Sequence, residues 1–395
     1  MNRLHLVIAA VVTLLPRAVT GQSSHTLPPP AQQQLAHDIL KELVEINTVS
    51  DSGATPAAET LARRLKAAGF PDSDVTLAGP KPKKQNLVVR LRGRSKQEPI
   101  LFIAHLDVVE ARREDWSVDP FQLTERDGYF YGRGTFDIKD EAADLTANLL
   151  RLKREGYIPD RDIIVALTDD EEGGGDNGAA WLTEHRPDLI RAAYVINTDA
   201  GGAQIQNGQR LRNPVQTSEK LYASYRLEVT GPGGHSSLPT KNNTIYTLAR
   251  GLDRLSRFDF PVRLTATTRA FFQRLAAQAT DSVARDLRSV TRDVPDPRAV
   301  ERLSAVPMYN SSMRNTCVAT LLEAGHAENA LPQRARATVQ CRLLPGDTPD
   351  QVRDTLIRVL ADSSIHLTQL GERQAAPESP LSPEVMGAVE RVTRS

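Results

Sequence analysis

The sequence predicts an α/β protein built on a mostly parallel sheet covered by helices, followed by a smaller α+β domain. Two observations carry that reading. Apolar runs alternate with amphipathic helical stretches through the first half of the chain, and from about Leu221 the texture changes to strands that alternate on one face. At 395 residues, with 40% apolar and 25% charged, the chain is long enough for two domains and has a globular composition.

At the start, Asn2 and Arg3 precede the mostly apolar run Leu4 to Leu15. That run is too short to span a bilayer and suits a secretory signal peptide over residues 1–21, cleaved after Gly21, with a retained membrane anchor as the alternative. The expected compartment is periplasmic or extracellular. Residues 22–33 are polar and Pro-rich, a flexible leader before a helix over roughly 34–45. Leu61, Leu65 and Ala68 mark a second helix ending near Gly69. The runs 87-LVVRLRG-93 and 99-PILFIAHLDVV-109 read as strands, the second so continuously apolar that burial on both faces is expected. A helix over about 138–155 stops at Gly156, 162-DIIVALT-168 is a strand, a helix covers about 177–184, and 193-AYVINTD-199 is a strand. This α/β part occupies 34–220. In the second domain, 221–374, the stretches 221-LYASYRLEVTG-231, 316-TCVATLLEA-324 and 335-ARATVQCRLLPG-346 alternate, while 243–255, 351–361 and much of 263–307 are helical. Residues 375–395 read as a linker and a helix returning to the first domain.

Forty-nine basic and 49 acidic residues cancel, which leaves no electrostatic footprint for nucleic acid. Cys317 and Cys341 form no CxxC motif. One disulfide and two separate small buried side chains both fit them.

Chemistry in α/β sheets collects just past the carboxyl ends of strands, and the polar residues of interest sit there. His105 and Asp107, two apart, share a strand face, which suits a metal-binding imidazole with an acidic partner fixing its tautomer. A histidine satisfied at a sheet end is the plainer alternative. The segment 132-GRGTFDIKD-140 delivers Asp137 at a Gly-rich turn, 166-ALTDDEEGGGDNG-178 delivers four consecutive acids, Asp169 to Glu172, and Asp199 ends the next strand. One histidine with several carboxylates suits a hydrated zinc, cobalt or manganese centre better than a thiolate site. Carboxylates crowded in a partly dry cleft raise one another's pKa, a cost that a divalent metal removes. A water deprotonated by a neighbouring Glu, attacking a carbonyl polarised by the metal, gives amide hydrolysis. An empty acidic loop is the alternative.

In order, 105-HLDVV-109, 116-WSVDPF-121, 132-GRGTFDIKD-140, 170-DEEGG-174, 231-GPGGHSSLP-239, 314-RNT-316, 329-NALP-332 and 342-RLLPG-346 resemble the motifs of the M20 family of metallopeptidases and aminoacylases, across residues 34–390. The resemblance implies a di-metal hydrolase domain with an inserted lid domain that mediates homodimerisation. It implies two divalent ions, zinc first and cobalt or manganese as substitutes. His105, Asp137 and Asp199 would hold the first, Asp137 would bridge, and Glu172 would bind the second. Glu171 would be the general base and Asp107 would orient His105. His235 would reach the developing oxyanion, although in its Gly-rich loop it is equally a surface turn residue. Asn315 and Arg342 resemble residues near the substrate's carboxylate, with an internal salt bridge as the alternative for Arg342.

Ile138 stands where the family often has Asp, and Asp140 where it often has Gly. The family's late His ligand to the second metal has no match, since the last histidine is His366, in the lid by pattern. The second site is therefore expected to be incomplete, and the chain reads as truncated at its C-terminus. The function implied is metal-dependent hydrolysis of a peptide or N-acyl amide bond beside a free carboxylate, by a carboxypeptidase or aminoacylase. The alternative is an impaired homologue that only binds metal or dimerises.

Overall fold

The computed structural model describes residues 28–199, 202, 204–207, 209–371 and 376–394. The expected signal peptide lies outside those residues. The chain divides into two units, one ending at Pro214 and one spanning Val215–Arg394.

The first unit begins with helices α1 (Pro30–Glu45) and α2 (Thr55–Ala67), each with proline in its first turn, where the missing N–H would be unbonded anyway. Strands β1 (Val75–Lys81), β2 (Lys84–Leu91) and β3 (Ile100–His105) follow, then the small hairpin of β4 (Thr124–Arg126) and β5 (Tyr129–Tyr131). Helix α3 (Lys139–Arg154), strand β6 (Ile163–Thr168), helices α4 (Gly178–His185) and α5 (Pro187–Ile190), and strand β7 (Tyr194–Asn197) lead to a last hairpin, β8 (Gln204–Gln206) and β9 (Gln209–Arg212).

The expectation of a mostly parallel sheet is wrong. In the order β1-β2-β6-β3-β7, β1–β2 and β2–β6 are antiparallel and only β6–β3 and β3–β7 are parallel. The described pairings of the second unit are all antiparallel. The reason is local. Strand β1, unrecognised in sequence because Gly79, Pro80 and Pro82 read as punctuation, joins β2 through a tight turn that pairs Lys81 with Lys84, and a tight turn can connect only antiparallel strands. Strands entered through helices, β6 and β7, run parallel to β3 as expected.

Burial on both faces holds for β3, where Ala104 and the partly buried Phe102 lie in one core and Leu101 and the partly buried Ile103 in another. Along β6, Val165 and Leu167 join a core with Ile39, Leu43, Leu61, Leu65 and Leu150 of α1, α2 and α3, while Ile164 and Ala166 pack with Leu182 of α4 on the opposite face. Ile138, where the family often has Asp, is buried in the first of these cores.

The second unit opens with β10 (Leu221–Thr230), β11 (Gly234–His235) and α6 (Thr244–Ser256). Helices α7 (Ala266–Gln278), α8 (Asp281–Val290), α9 (Pro297–Ser304) and α10 (Pro307–Met313) pack around Phe272, Leu287 and Leu303. Then come β12 (Thr316–Ala324), β13 (Ala330–Leu331), β14 (Arg334–Leu343), α11 (Pro349–Leu360), β15 (His366–Leu370) and α12 (Pro383–Arg394). The sheet order is β12-β14-β10-β15, with His366 in its edge strand. Leu248, Leu255, Leu356 and Leu360 of α6 and α11 cover one face, against Tyr225, Leu227 and Val339. Cys317 and Cys341 lie directly opposite on β12 and β14 and form a disulfide, which decides between the two readings of these cysteines.

Candidate metal centre

His105 is the last residue of β3, so the parallel pairing with β6 and β7 sets its position. The chain beyond it is pinned. Leu106 N–H donates to Thr168 O at 2.8 Å, Val108 N–H to Thr48 O at 3.2 Å, and Thr48 Oγ1 to Leu106 O at 2.7 Å. Asp107 therefore sits past the strand rather than on its face. His105 Nδ1 donates to the main-chain carbonyl of Asp107 at 2.9 Å, with the Asp107 carboxylate at 3.5 Å. That carboxylate is turned elsewhere: it accepts the backbone N–H groups of Glu171 at 3.1 Å and Glu172 at 2.9 Å. Asp107 thus fixes both the imidazole and the acidic loop, the second role having left no trace in the sequence.

On its other side, His105 Nε2 lies 3.1 Å from Asp137 Oδ1 and 3.9 Å from Asp199 Oδ2. Asp137 arrives on a turn in which Lys139 N–H donates to Gly134 O at 2.9 Å. Gly134 has φ +87°, and a Cβ there would lie 2.9 Å from the Lys139 side chain, so both conformation and space call for glycine. Lys139 itself is fully buried and escaped notice in sequence. Its ammonium donates to Leu43 O and Ile46 O at 2.8 and 2.9 Å, at the C-terminal end of α1, and so ties the Asp137 turn to α1. Burial pulls its pKa down to about 7, against the field of Asp107.

The four consecutive acids divide into two pairs. Asp169 and Asp170 are buried. Asp169 Oδ2 accepts the Ala54 N–H at 2.9 Å, while its Oδ1 is buried with no hydrogen-bond partner among the described residues. Burial, and then the charge of Asp107, push it up to about 6 against the pull of Ala54 N–H and Lys84. Asp170 pairs with Lys84 at 2.6 Å. Glu171 and Glu172 instead join His105 in one cluster whose ligand atoms all lie within 4.8 Å of one another, and His105, Asp137 and Asp199 form a second on the same criterion. The residue common to the two is His105, whereas the family resemblance makes Asp137 the bridge.

The electrostatics fit a cation. Burial works against a charge on His105, yet the hydrogen bond and charge of Asp107, and then the charge of Asp199, raise its pKa to about 9. Burial first, and then Asp199, Asp107 and Asp137, push Glu171 above the ordinary carboxylate range, against His105. Burial, Asp137, Glu171 and Asp107 do the same to Glu172, again against His105. A field strong enough to hold a proton on a buried imidazole also favours a divalent ion, and one nitrogen with several carboxylate oxygens is a zinc, cobalt or manganese donor set.

The other candidates belong to the second unit. His235, exposed, pairs across β11 and β13 with Ala330. Its Nδ1 accepts from Ser237 N–H at 3.2 Å and lies 2.8 Å from Ser237 Oγ, which leaves the ring proton on Nε2. Asn315 is engaged at both ends of its amide: Oδ1 accepts from Leu344 N–H at 2.6 Å, and Nδ2 donates to Asp347 at 2.8 Å. Arg342 is exposed, its guanidinium 5.0 Å from the centre of the Tyr222 ring. Lys220, passed over in sequence, donates to Ser311 O at 2.9 Å and Arg314 O at 2.8 Å. Burial, and then the charge of Arg342, lower it to about 8.

The arrangement is that of a metallohydrolase, with two adjoining candidate metal-binding clusters. The sequence profile of Peptidase family M20/M25/M40 matches residues 101–395, and the chain belongs to that family. It is 31% identical over 298 residues to the human N-fatty-acyl-amino acid synthase/hydrolase PM20D1, covering 73% of this chain and 58% of that protein. It is 28% identical over 298 residues to a probable carboxypeptidase S-like 2 of Dictyostelium discoideum, covering 72% and 56%. The chain thus spans little more than half the length of these relatives. Among solved structures, the M20 family metallo-carboxypeptidase Sso-CP2 from Sulfolobus solfataricus superposes with a TM-score of 0.60 at 18% identity, covering 91% of this chain and 84% of that one, a likeness of fold.

Proposed function

We propose that this chain hydrolyses the amide bond of N-acyl amino acids, or of short peptides, next to a free carboxylate. The observation that carries the reading is the convergence of His105, Asp137, Asp199, Glu171 and Glu172 in two clusters, each within 4.8 Å. His105, Asp137 and Asp199 would hold one ion and Glu172, with Asp137, a second, zinc being the metal that suits this donor set best. Ions held there would supply polarisation of the amide carbonyl and acidification of water. Glu171, with its raised pKa and no assigned ligand role, takes the proton from the attacking water and returns it to the leaving nitrogen. His235, with its proton on Nε2, is a hydrogen-bond donor suited to a developing oxyanion. Arg342 is the cation for the substrate's carboxylate. The likeness to relatives named N-fatty-acyl-amino acid synthase/hydrolase supports an N-acyl substrate.

The test is a panel of N-acyl amino acids and dipeptides given to chelator-treated protein before and after addition of zinc, cobalt or manganese. Metal-restored release of the amino acid is the expected result, and no release from any member with any metal rejects the reading. In the same reading the second unit pairs two copies. Its edge strand β12 exposes Val318, Leu321 and Leu322, and an unpaired apolar edge is a template for association. Light scattering should give twice the chain mass, and a single-chain mass rejects the pairing. An exported location agrees with the Cys317–Cys341 disulfide, which persists in oxidising compartments.

A further inference from the structure

The acidic loop has a counter-charge of its own. Lys84, at the start of β2, is 8% exposed, and its ammonium donates to Asp170 Oδ1 at 2.6 Å and to Ser50 Oγ at 3.3 Å. Asp170, 2% exposed, also accepts from Ser50 Oγ at 2.9 Å and from Asp176 N–H at 2.5 Å, and its main-chain carbonyl accepts from Gly174 N–H at 3.1 Å. Its backbone is left-handed, with φ +63°, a conformation uncommon outside glycine that aspartate adopts when its short side chain is held by local hydrogen bonds, as here. The packing is close enough that a Cβ on Gly173 would lie 2.5 Å from both Asp170 Oδ1 and Ser50 Oγ. Immediately after this left-handed residue come Glu171 and Glu172, whose amides reach the Asp107 carboxylate.

We propose that Lys84 is a positioning residue for the metal centre: through its buried pair with Asp170, braced by Ser50, it imposes the turn that presents Glu171 and Glu172 to His105. The functional half of this inference rests on the hydrolase reading above; the structural half does not. Lys84 lies outside the family motifs and touches neither the clusters nor any group placed in the chemistry. Without it, Asp170 would be a buried carboxylate lacking its cation, and the left-handed turn would lose its strongest restraint.

The experiment compares the wild-type chain with Lys84→Gln, Lys84→Arg and Ser50→Ala. The first readout is backbone amide exchange over residues 169–178 in metal-free protein, with β3 and β6 as internal controls. Lys84→Gln should speed exchange of the Glu171 and Glu172 amides about tenfold or more at unchanged control protection, and Lys84→Arg should restore most of it. The second readout is the split of kinetic constants: kcat should fall about 10–100-fold with KM within about twofold, because the base and a ligand move while substrate contacts stay. If Lys84→Gln does not fold, Ser50→Ala, which keeps the ion pair and removes one brace, carries the same amide test. Unchanged exchange in a folded Lys84→Gln, or in Ser50→Ala where the former fails to fold, overturns the proposal. A wild type that turns over no substrate while the amides respond sinks the hydrolase reading and leaves the positioning role standing.

Discussion

Glu171→Gln is expected to lower turnover of an N-acyl or peptide substrate by about 10²–10⁴-fold, the usual contribution of a positioned general base, while leaving the bound metal unchanged. The substitution is close to isosteric and leaves the backbone amide on Asp107 in place, so the loop should keep its shape. It also removes one of several mutually repelling acids, for burial and the neighbouring carboxylates already push Glu171 upward. Thermal stability of the metal-free variant should therefore match or exceed wild type. Metal analysis, melting and steady-state kinetics on one preparation check the three statements together. Loss of metal in parallel with activity would make Glu171 a ligand instead of the base.

His105→Ala should be more severe and different in kind. His105 lies in both clusters and is the one nitrogen donor proposed for the first ion, so its loss leaves that ion only carboxylates. Metal affinity should fall by more than the ~10–100-fold that removal of an outer partner costs, with turnover falling in step. The metal-free variant should also be less stable, because the imidazole, held charged up to about pH 9, neutralises Asp107, Asp137 and Asp199. Metal content after dialysis is the decisive measurement, and wild-type stoichiometry in His105→Ala would remove His105 from the ligand set.

The residues of this candidate centre are legible in the sequence because each stands at a local feature of the chain, such as an apolar strand end, a Gly-rich turn or an acidic run. His105 and Asp199 follow apolar strands, Asp137 lies in a Gly-rich turn, and Glu171 and Glu172 belong to the acidic run after β6. The helices and two-face strands were legible for a similar reason, since their periodicity is local. What escaped depends on contacts far apart in the chain. Lys84 reads as one of several lysines in 81-KPKK-84, and only the fold sets it against an acid 86 positions away. The direction of the sheet was misjudged because Gly79, Pro80 and Pro82 concealed β1, and with it the antiparallel hairpin. Asn315 shows the opposite difficulty: a motif can mark a residue whose amide is taken up by Leu344 and Asp347 within the fold.

The β1–β2 hairpin has one more consequence. Its turn is docked on the start of α2, with Thr55 N–H donating to Lys83 O at 3.2 Å and Thr55 Oγ1 to Pro82 O at 2.8 Å. Surface turns are where chains ordinarily tolerate inserted or deleted residues. Here the side-chain alternation of β2 begins at Lys84, and a shift of one position would send the ammonium to the opposite face of the sheet. The length of this turn is therefore as constrained as the identity of any ligand.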